Sequence, residues 1–421
     1  MLHYEEPGIQ KLLLSGSIGL EKEGLRITGD GFFAKTPHPF PGDPFIVRDF
    51  CENQTEINTQ PKPSPQEAVE ELCCHVRRIK QRLAELPEPE YLWPFSNPPY
   101  IHNEKDIPIA QYYGAEAEKT EYREYLSDRY GRYKMTFSGI HFNYSFSDEL
   151  LRADFSLSGK DDFQDYKNDL YSSVAGYAQL YNWLVVAITA ASPLLDSSYW
   201  EKETFGKDVY NGMGSSRCSE LGYWNFFTPV RDYSDISCYS NSIRLYIEAG
   251  LIRSSSELYF PVRLKPPGKY SLAGLITQGV SHIELRMIDL NPFCEAGVDE
   301  RDVRFLQLLL VYLACLPKQE MDVQKQIQSI ANTKNAARFD LKTVHVTNEQ
   351  GVTQSVVHAA TETLRAMQDF FCDFADKEVM DVLEFELEKF ADRECRYAWK
   401  VRERFTGGFV EKGLAYIKEG G

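Results

Sequence analysis

Apolar and polar residues alternate with period two along Ser281–Phe293, SHIELRMIDLNPF, which predicts a strand. Ile283, Leu285 and Met287 fall on one face, and His282, Glu284 and Arg286 on the other. Asp289 and Asn291 follow, and Pro292 ends the strand. Such a strand is either an exposed sheet face with a surface ion pair or the polar wall of a site. Two more strands carry the same signature. In Ile18–Ile27, Ile18, Leu20 and Lys22 oppose Gly19, Glu21 and Glu23. Two carboxylates at i and i+2 repel each other unless a cation sits between them. The segment is therefore a solvated edge strand, or part of a divalent-metal or substrate-ammonium site. In Met135–Phe146 the apolar positions switch from odd to even after Gly139, which predicts a bulge there. The switch turns His141, Asn143 and Ser145 to the polar face. Phe45–Thr59 reads as a further extended stretch, with Glu52, Gln54 and Glu56 on one face and Asp49 at its entrance.

Helical spacing follows between these strands. Ser64 suits an N-cap, Pro65 the first helical position and Glu67 a capping box, so a helix is predicted to about Leu86, before Pro87. Thr120–Arg132 holds a short helix, Asp161–Ala191 a long buried one, and Val298–Leu316 a third, with Asp299 and Glu300 suiting its N-terminal dipole. Ser256–Lys265 is extended but interrupted by Pro261, and Met213–Phe227 is irregular and rich in glycine and aromatic residues. The segment from 317 to about 359 is polar and less regular, and Thr361–Phe390 forms an amphipathic helix or helix pair. The expectation is one domain over 1–421, with 317–421 a mainly helical C-terminal part.

Composition narrows the chemistry. With 421 residues and 43% hydrophobic content the chain can bury a large core. A formal net charge of −16 argues against nucleic acid or an anionic membrane as partner. ATP stays possible, since a small anion is met by a few local cations and a metal. The nine cysteines lack C-x-x-C spacing, which suits reduced thiols in a cytoplasm. No signal peptide or membrane span is recognised, so a cytoplasmic protein is expected. Phosphate-loop, complete G-x-G-x-x-G, H-E-x-x-H and G-x-S-x-G motifs are absent.

Eight segments together resemble a known family: GLEKEGLRI (Gly19–Ile27), DFCENQTEI (Asp49–Ile57), WPFSNPPYI (Trp93–Ile101), YREYLSDRYG (Tyr122–Gly131), SGIHFNYS (Ser138–Ser145), LGYWN (Leu221–Asn225), ELYFPVR (Glu257–Arg263) and IELRMIDLNPF (Ile283–Phe293). In family order, over about residues 18 to 316, they are similar to glutamate–cysteine ligase of the proteobacterial type, also found as the ligase half of fused glutathione synthetases. The resemblance implies an α+β fold of the glutamine synthetase-like superfamily, with a curved, mainly antiparallel sheet forming a funnel and helices packed outside. It implies an ATP-dependent ligase that joins the γ-carboxylate of L-glutamate to the amine of L-cysteine through a γ-glutamyl phosphate, the first step towards glutathione. Oxygen ligands with one imidazole favour Mg²⁺ or Mn²⁺ over zinc.

By the same resemblance, Glu21, Glu23, Asp49, Glu56, His141 and Glu284 match the family's metal ligands. Arg286 matches the arginine that meets the transferred phosphoryl group, and Arg123 a glutamate-binding position. Arg217, Tyr223 and Tyr259 match residues around the acceptor, with Tyr122 and Leu126 lining its side-chain pocket. Glu52 and His282 have no such match and are read as structural. The chain is shorter than the long bacterial enzymes in its middle and C-terminal third, and the loop around Met213–Phe227, near the acceptor, is compressed. No ATP-grasp domain is recognised, so the expectation is that the chain does not complete glutathione itself. Two other readings stay open: the same chemistry with a different amine or amino-acid acceptor, and a non-catalytic binding protein on the ligase fold. The expected partners are the small molecules ATP, L-glutamate and L-cysteine, with no nucleic acid and no membrane. The oligomeric state is open, a monomer included.

Overall fold

Period-two patterning and glycine placement set the sheet. The computed structural model describes residues 1–201 and 204–421. Seven strands form the main sheet: β1 (Gly16–Ile27), β2 (Ile46–Arg48), β3 (Gln54–Asn58), β4 (Tyr91–Leu92), β5 (Gly139–Phe146), β6 (Val262–Lys265) and β7 (His282–Asp289). Their order is β2-β3-β1-β5-β7-β6, with β4 paired to the end of β1, and all pairs are antiparallel. The architecture is α+β, as the resemblance implies.

One face of the sheet buries Ile18, Leu20, Ile57, Phe142, Ile283 and Leu285 in the larger core. Each such side chain contributes about 1.5–3 kcal/mol relative to exposure. The main helices are α1 (Pro65–Ala84), α2 (Ala117–Tyr130), α3 (Phe163–Thr189), α4 (Glu300–Cys315), α5 (Val323–Ala336), α6 (Val356–Phe371), α7 (Lys377–Ala391), α8 (Tyr397–Phe405) and α9 (Phe409–Lys418). Ser64 caps α1 by accepting from the Glu67 backbone N–H at 3.2 Å, with Pro65 at the first turn. α3 is the long buried helix, capped by Asp162 and packed on β7, α4 and α5. A second core continues the other face of β1. There Leu25 and Ile27 meet Trp93 and Phe95, with Phe405 of α8 and Phe409 of α9.

Four local readings change. The Phe45–Thr59 stretch is a hairpin, β2 and β3 joined by a turn at 49–53, instead of one strand. Glu52 therefore leaves the shared face with Glu56. Its carboxylate accepts from the backbone N–H groups of His38 and Gln111 and lies 3.2 Å from Arg48. The phase change at Gly139 marks the start of β5, because residues 134–136 form a 3₁₀ turn. The register shift lies one step further on. Ile140 pairs with Ile288 and Phe142 with Leu285, so Arg286 and Met287 together oppose His141. This bulge is on β7 and brings Met287, predicted on the core side, to the cavity lining while it still packs against the edge of the larger core, and Ile288 resumes the buried row. Finally, the polar segment after 317 contains α5, which packs on α3 through polar contacts. Among them are Gln179 with Ser329 at 2.9 Å and Asn182 with Thr333 at 3.3 Å. The hydrophobic pattern misses it for that reason. Thr361–Phe390 is a helix pair, α6 and α7.

Candidate active site

The polar rows of β3, β1, β5, β7 and β6 align side by side. Glu23 stands opposite Glu56, Glu21 opposite His141, Asn143 opposite Glu284, and Glu284 opposite Arg263. Above them is a cavity of about 310 Å³. All thirteen candidate residues line it: Glu21, Glu23, Asp49, Glu56, Tyr122, Arg123, Leu126, His141, Arg217, Tyr223, Tyr259, Glu284 and Arg286. Residues more than 260 positions apart in the chain, such as Glu21 and Glu284, share one floor because β5 lies between their strands.

The floor has two electrostatic halves. In the first, His141 Nδ1 lies 2.9 Å from Glu21 Oε2 and 3.4 Å from Glu284 Oε1. Glu284 is fully buried yet has three cations around it: Arg286 Nη1 at 2.9 Å, Lys265 Nζ at 3.4 Å and Arg263 Nη1 at 3.7 Å. Burial pushes its carboxyl up, but Arg286, Lys265 and Arg263 outweigh that and hold it well below the usual carboxylate range. Burial and Glu284 push Glu21 up too, while the His141 hydrogen bond and Lys265 bring it down to about 2. In the second half, the cations among the described residues do not outweigh burial and mutual repulsion, although Arg123 lowers Asp49. Burial, then Glu23, pushes Asp49 up to about 6. Burial, then Asp49, Glu21 and Glu23, pushes Glu56 well above its ordinary value. Glu23 accepts from the Gly139 backbone N–H at 2.8 Å.

This donor set fits a hard divalent cation. Glu21, His141 and Glu284 offer ligand atoms within 4.8 Å of one another. Glu284 Oε2 is buried without a hydrogen-bond partner among the described residues. The Glu23–Glu56–Asp49 corner carries more negative charge than its side-chain surroundings neutralise. Carboxylate oxygens with a single imidazole are the ligand chemistry of Mg²⁺ or Mn²⁺, and no thiolate is present to favour zinc.

The walls come from loops and α2. Arg123 donates from Nε to the Asp49 carbonyl at 2.6 Å and lies over the Tyr112 ring, so it ties α2 to the β2–β3 turn. Tyr223 and Tyr259 lie against each other with ring centres 3.6 Å apart and planes tilted by 36°, and Tyr130 meets both edge-on. Buried Glu257 fixes that group by accepting from the Tyr130 hydroxyl at 2.8 Å, with Arg129 Nε at 3.0 Å. Arg217 donates to the carbonyls of Arg286 at 2.9 Å and Ile288 at 3.3 Å, so its guanidinium braces the β7 bulge. It lies against Gly139, where a Cβ would overlap it. The loop carrying Arg217 is pinned by buried Asp289, which accepts from the Ala191 N–H at 2.9 Å and the hydroxyls of Ser192 at 2.7 Å and Ser215 at 3.0 Å.

Sequence patterning missed Arg263, Lys265 and Met287 as cavity residues. The first two were legible, since residues i and i+2 of a strand share a face. Met287 was not, because a bulge depends on the partner strand.

A sequence model of the family described as glutamate-cysteine ligase matches residues 3–227 and 225–336. The chain is 30% identical over 373 residues to the glutamate–cysteine ligase of Clostridium acetobutylicum, covering 77% of this chain and 76% of that one. The chain belongs to the glutamate–cysteine ligase family. It is also 34% identical over 431 residues to the bifunctional glutathione biosynthesis protein GshAB of Listeria monocytogenes, across 98% of this chain and 55% of that protein. The chain thus spans about half the length of the bifunctional relatives it matches. The crystal structure of the Francisella tularensis glutamate–cysteine ligase, solved in complex with AMP, superposes with a TM-score of 0.84 at 21% identity, covering 96% of this chain and 88% of that one. Among the described residues, no helix is long and apolar enough to cross a membrane.

Proposed function

We propose that this chain catalyses the ATP-dependent joining of the L-glutamate γ-carboxylate to the amine of L-cysteine, giving γ-glutamylcysteine, ADP and phosphate. The observation that carries the reading is the shared floor of five carboxylates, one imidazole and three cations in a member of this family. Mg²⁺ or Mn²⁺ would be held by Glu21, Glu23, Asp49, Glu56, His141 and Glu284, and would neutralise phosphate charge during transfer.

The side chains divide the remaining work. Arg286, beside Glu284 and facing the cavity, meets the phosphoryl group as it moves from ATP to the γ-carboxylate. Planar, paired donors suit the equatorial oxygens of that group. Arg123 holds the donor glutamate at the mouth formed by α2 and the β2–β3 turn. Arg217 and the Tyr223–Tyr259 pair orient the acceptor, with Tyr122 and Leu126 beside it. The acceptor amine then attacks the acyl phosphate carbon, the C–N bond forms, phosphate leaves with the C–O electron pair, and the proton lost from nitrogen passes to the departing phosphate. A nucleotide in this fold has precedent in the AMP complex of the Francisella tularensis enzyme.

The test is ADP release from ATP and Mg²⁺ with glutamate across a panel of acceptor amino acids and amines, with mass spectrometry of the product. γ-Glutamylcysteine formed preferentially from cysteine is the expected result. Turnover with another preferred acceptor would move the function to that acceptor, and absence of ADP with every acceptor in folded protein would refute ligase activity.

A further inference from the structure

A second cavity, of about 240 Å³, shares no lining residue with the candidate active site. It is walled by α3, α4, α5, α6 and the hairpin of β8 (His345–Thr347) and β9 (Thr353–Ser355). Its polar lining is unevenly committed. Asn332 is spent on Thr347, donating to its carbonyl at 2.7 Å and accepting from its N–H at 3.0 Å. Gln328 donates to Asn332 at 2.9 Å, Gln354 to Glu362 at 2.8 Å, and Lys325 Nζ to the Glu320 carbonyl at 2.9 Å. Gln328, Asn332 and Gln354 are therefore engaged within the protein, and the Lys325 ammonium is engaged with one backbone carbonyl.

What remains for a ligand is mainly aromatic and anionic. Tyr181, Trp183 and Tyr312 bring aromatic rings from α3 and α4. Glu349, near the hairpin tip, brings a carboxylate that has no salt-bridge partner among the described residues. Burial first, and Glu349 next, pushes both the Tyr181 and Tyr312 phenols up, which puts that carboxylate close to the rings. Ring faces attract cations through their quadrupole, and a partly buried carboxylate adds charge. An anion would meet two carboxylates, Glu349 and Glu362, against the single ammonium of Lys325. The chain's net charge of −16 favours a cation too.

We infer that this cavity binds a small organic ammonium ion, held between the rings of Tyr181, Trp183 and Tyr312 and the carboxylate of Glu349. The site needs neither ATP nor turnover, so it stands or falls separately from the ligase reading.

The test is isothermal titration calorimetry of the full chain with choline, beside its uncharged isostere 3,3-dimethyl-1-butanol, without nucleotide. The acidic active site could also attract a cation, so Glu284→Gln is the control. One choline per chain is expected, bound roughly tenfold or more tighter than the isostere. Glu349→Gln and Tyr312→Leu should each weaken it about fivefold or more, and Glu284→Gln should leave it unchanged. Equal binding of both probes, loss of choline binding in Glu284→Gln, indifference to Glu349→Gln, or no choline binding at millimolar concentration would overturn the inference. Glu349 sits near a hairpin tip, so its variant remains informative if Tyr312→Leu fails to fold.

Discussion

Adding one methyl group to Gly139 should disable Arg217 at a distance from any substrate. The Cβ of Gly139→Ala would lie within 2.5 Å of Arg217 Nε and closer still to the rest of the guanidinium, so the guanidinium must leave. Its backbone is not in the left-handed region, so the cost falls on Arg217 and not on local strain. Leaving breaks two charge-assisted hydrogen bonds, to the Arg286 and Ile288 carbonyls. Such bonds contribute about 1.5–3 kcal/mol each. The displaced group can be solvated in the open cavity, so the lower end applies, about 3 kcal/mol for the pair. If that appears in the transition state for acceptor attack, kcat/KM for the acceptor falls about a hundredfold. Spread over a chain of this size, the same energy lowers Tm by only about 3 °C, so the fold persists. The assay is a double-mutant cycle on acceptor kcat/KM. In an Arg217→Ala background, Gly139→Ala should cost under about 0.5 kcal/mol, because its target is gone. Additive losses in the two single variants would refute the argument.

Glu284→Gln is nearly isosteric and should cut turnover by roughly a hundredfold or more, with an unchanged circular dichroism spectrum; normal turnover would exclude Glu284 from the metal set. Arg286→Lys should be severe in kcat because a point charge cannot reproduce a planar pair of donors, and a rate within about twofold of the parent would count against its contact with the phosphoryl group. Removing metal should link stability to pH. The folded-state values of Asp49, about 6, and of Glu56 lie above their unfolded values. The stabilisation from their protonation is present below the unfolded values and is lost as pH rises through the folded ones. Glu21 and Glu284 are shifted the other way and stay ionised above pH 5, so they leave that window flat. Metal-free protein should therefore melt at lower temperature at pH 7 than at pH 5, and saturating Mg²⁺ should remove the difference. A metal-free melting temperature that rises over that interval would contradict the assignment.

Local signals carried the sequence reading far. The Ser64 cap with Pro65, the apolar run of α3 and the alternation in β1 each depend on a few neighbouring residues and formed where expected, while β5 starts only at Gly139 and β7 keeps its alternation up to the bulge. Signals that depend on a partner did not carry. Arg286 and Met287 share a side only because β5 offers one residue against their two. The turn at 49–53 stayed hidden because Asp49 and Glu56 are both polar in an extended reading, and it is the pairing of β2 with β3 that folds the stretch back. Helix α5 buries Gln326, Ser329 and Thr333, residues a hydrophobicity pattern assigns to solvent. Arg263 and Lys265 could have been found by applying to β6 the same every-second-residue test used on β1.

The extra residue in β7 gives this sheet a local irregularity that an optimiser of stability would remove. Deleting one residue at the bulge would let β5 and β7 pair without interruption, and the repaired ladder would be the more regular sheet. It would also return Met287 or its replacement to strict alternation and leave Arg217 without the two carbonyls it braces. Selection for thermal resistance alone, or redesign that scores only backbone regularity, should therefore drift towards a well-folded protein whose Arg217 no longer has its anchor beside the cavity floor. An effort to harden this protein should hold residues 285–288 fixed and look for its gains on the helical side.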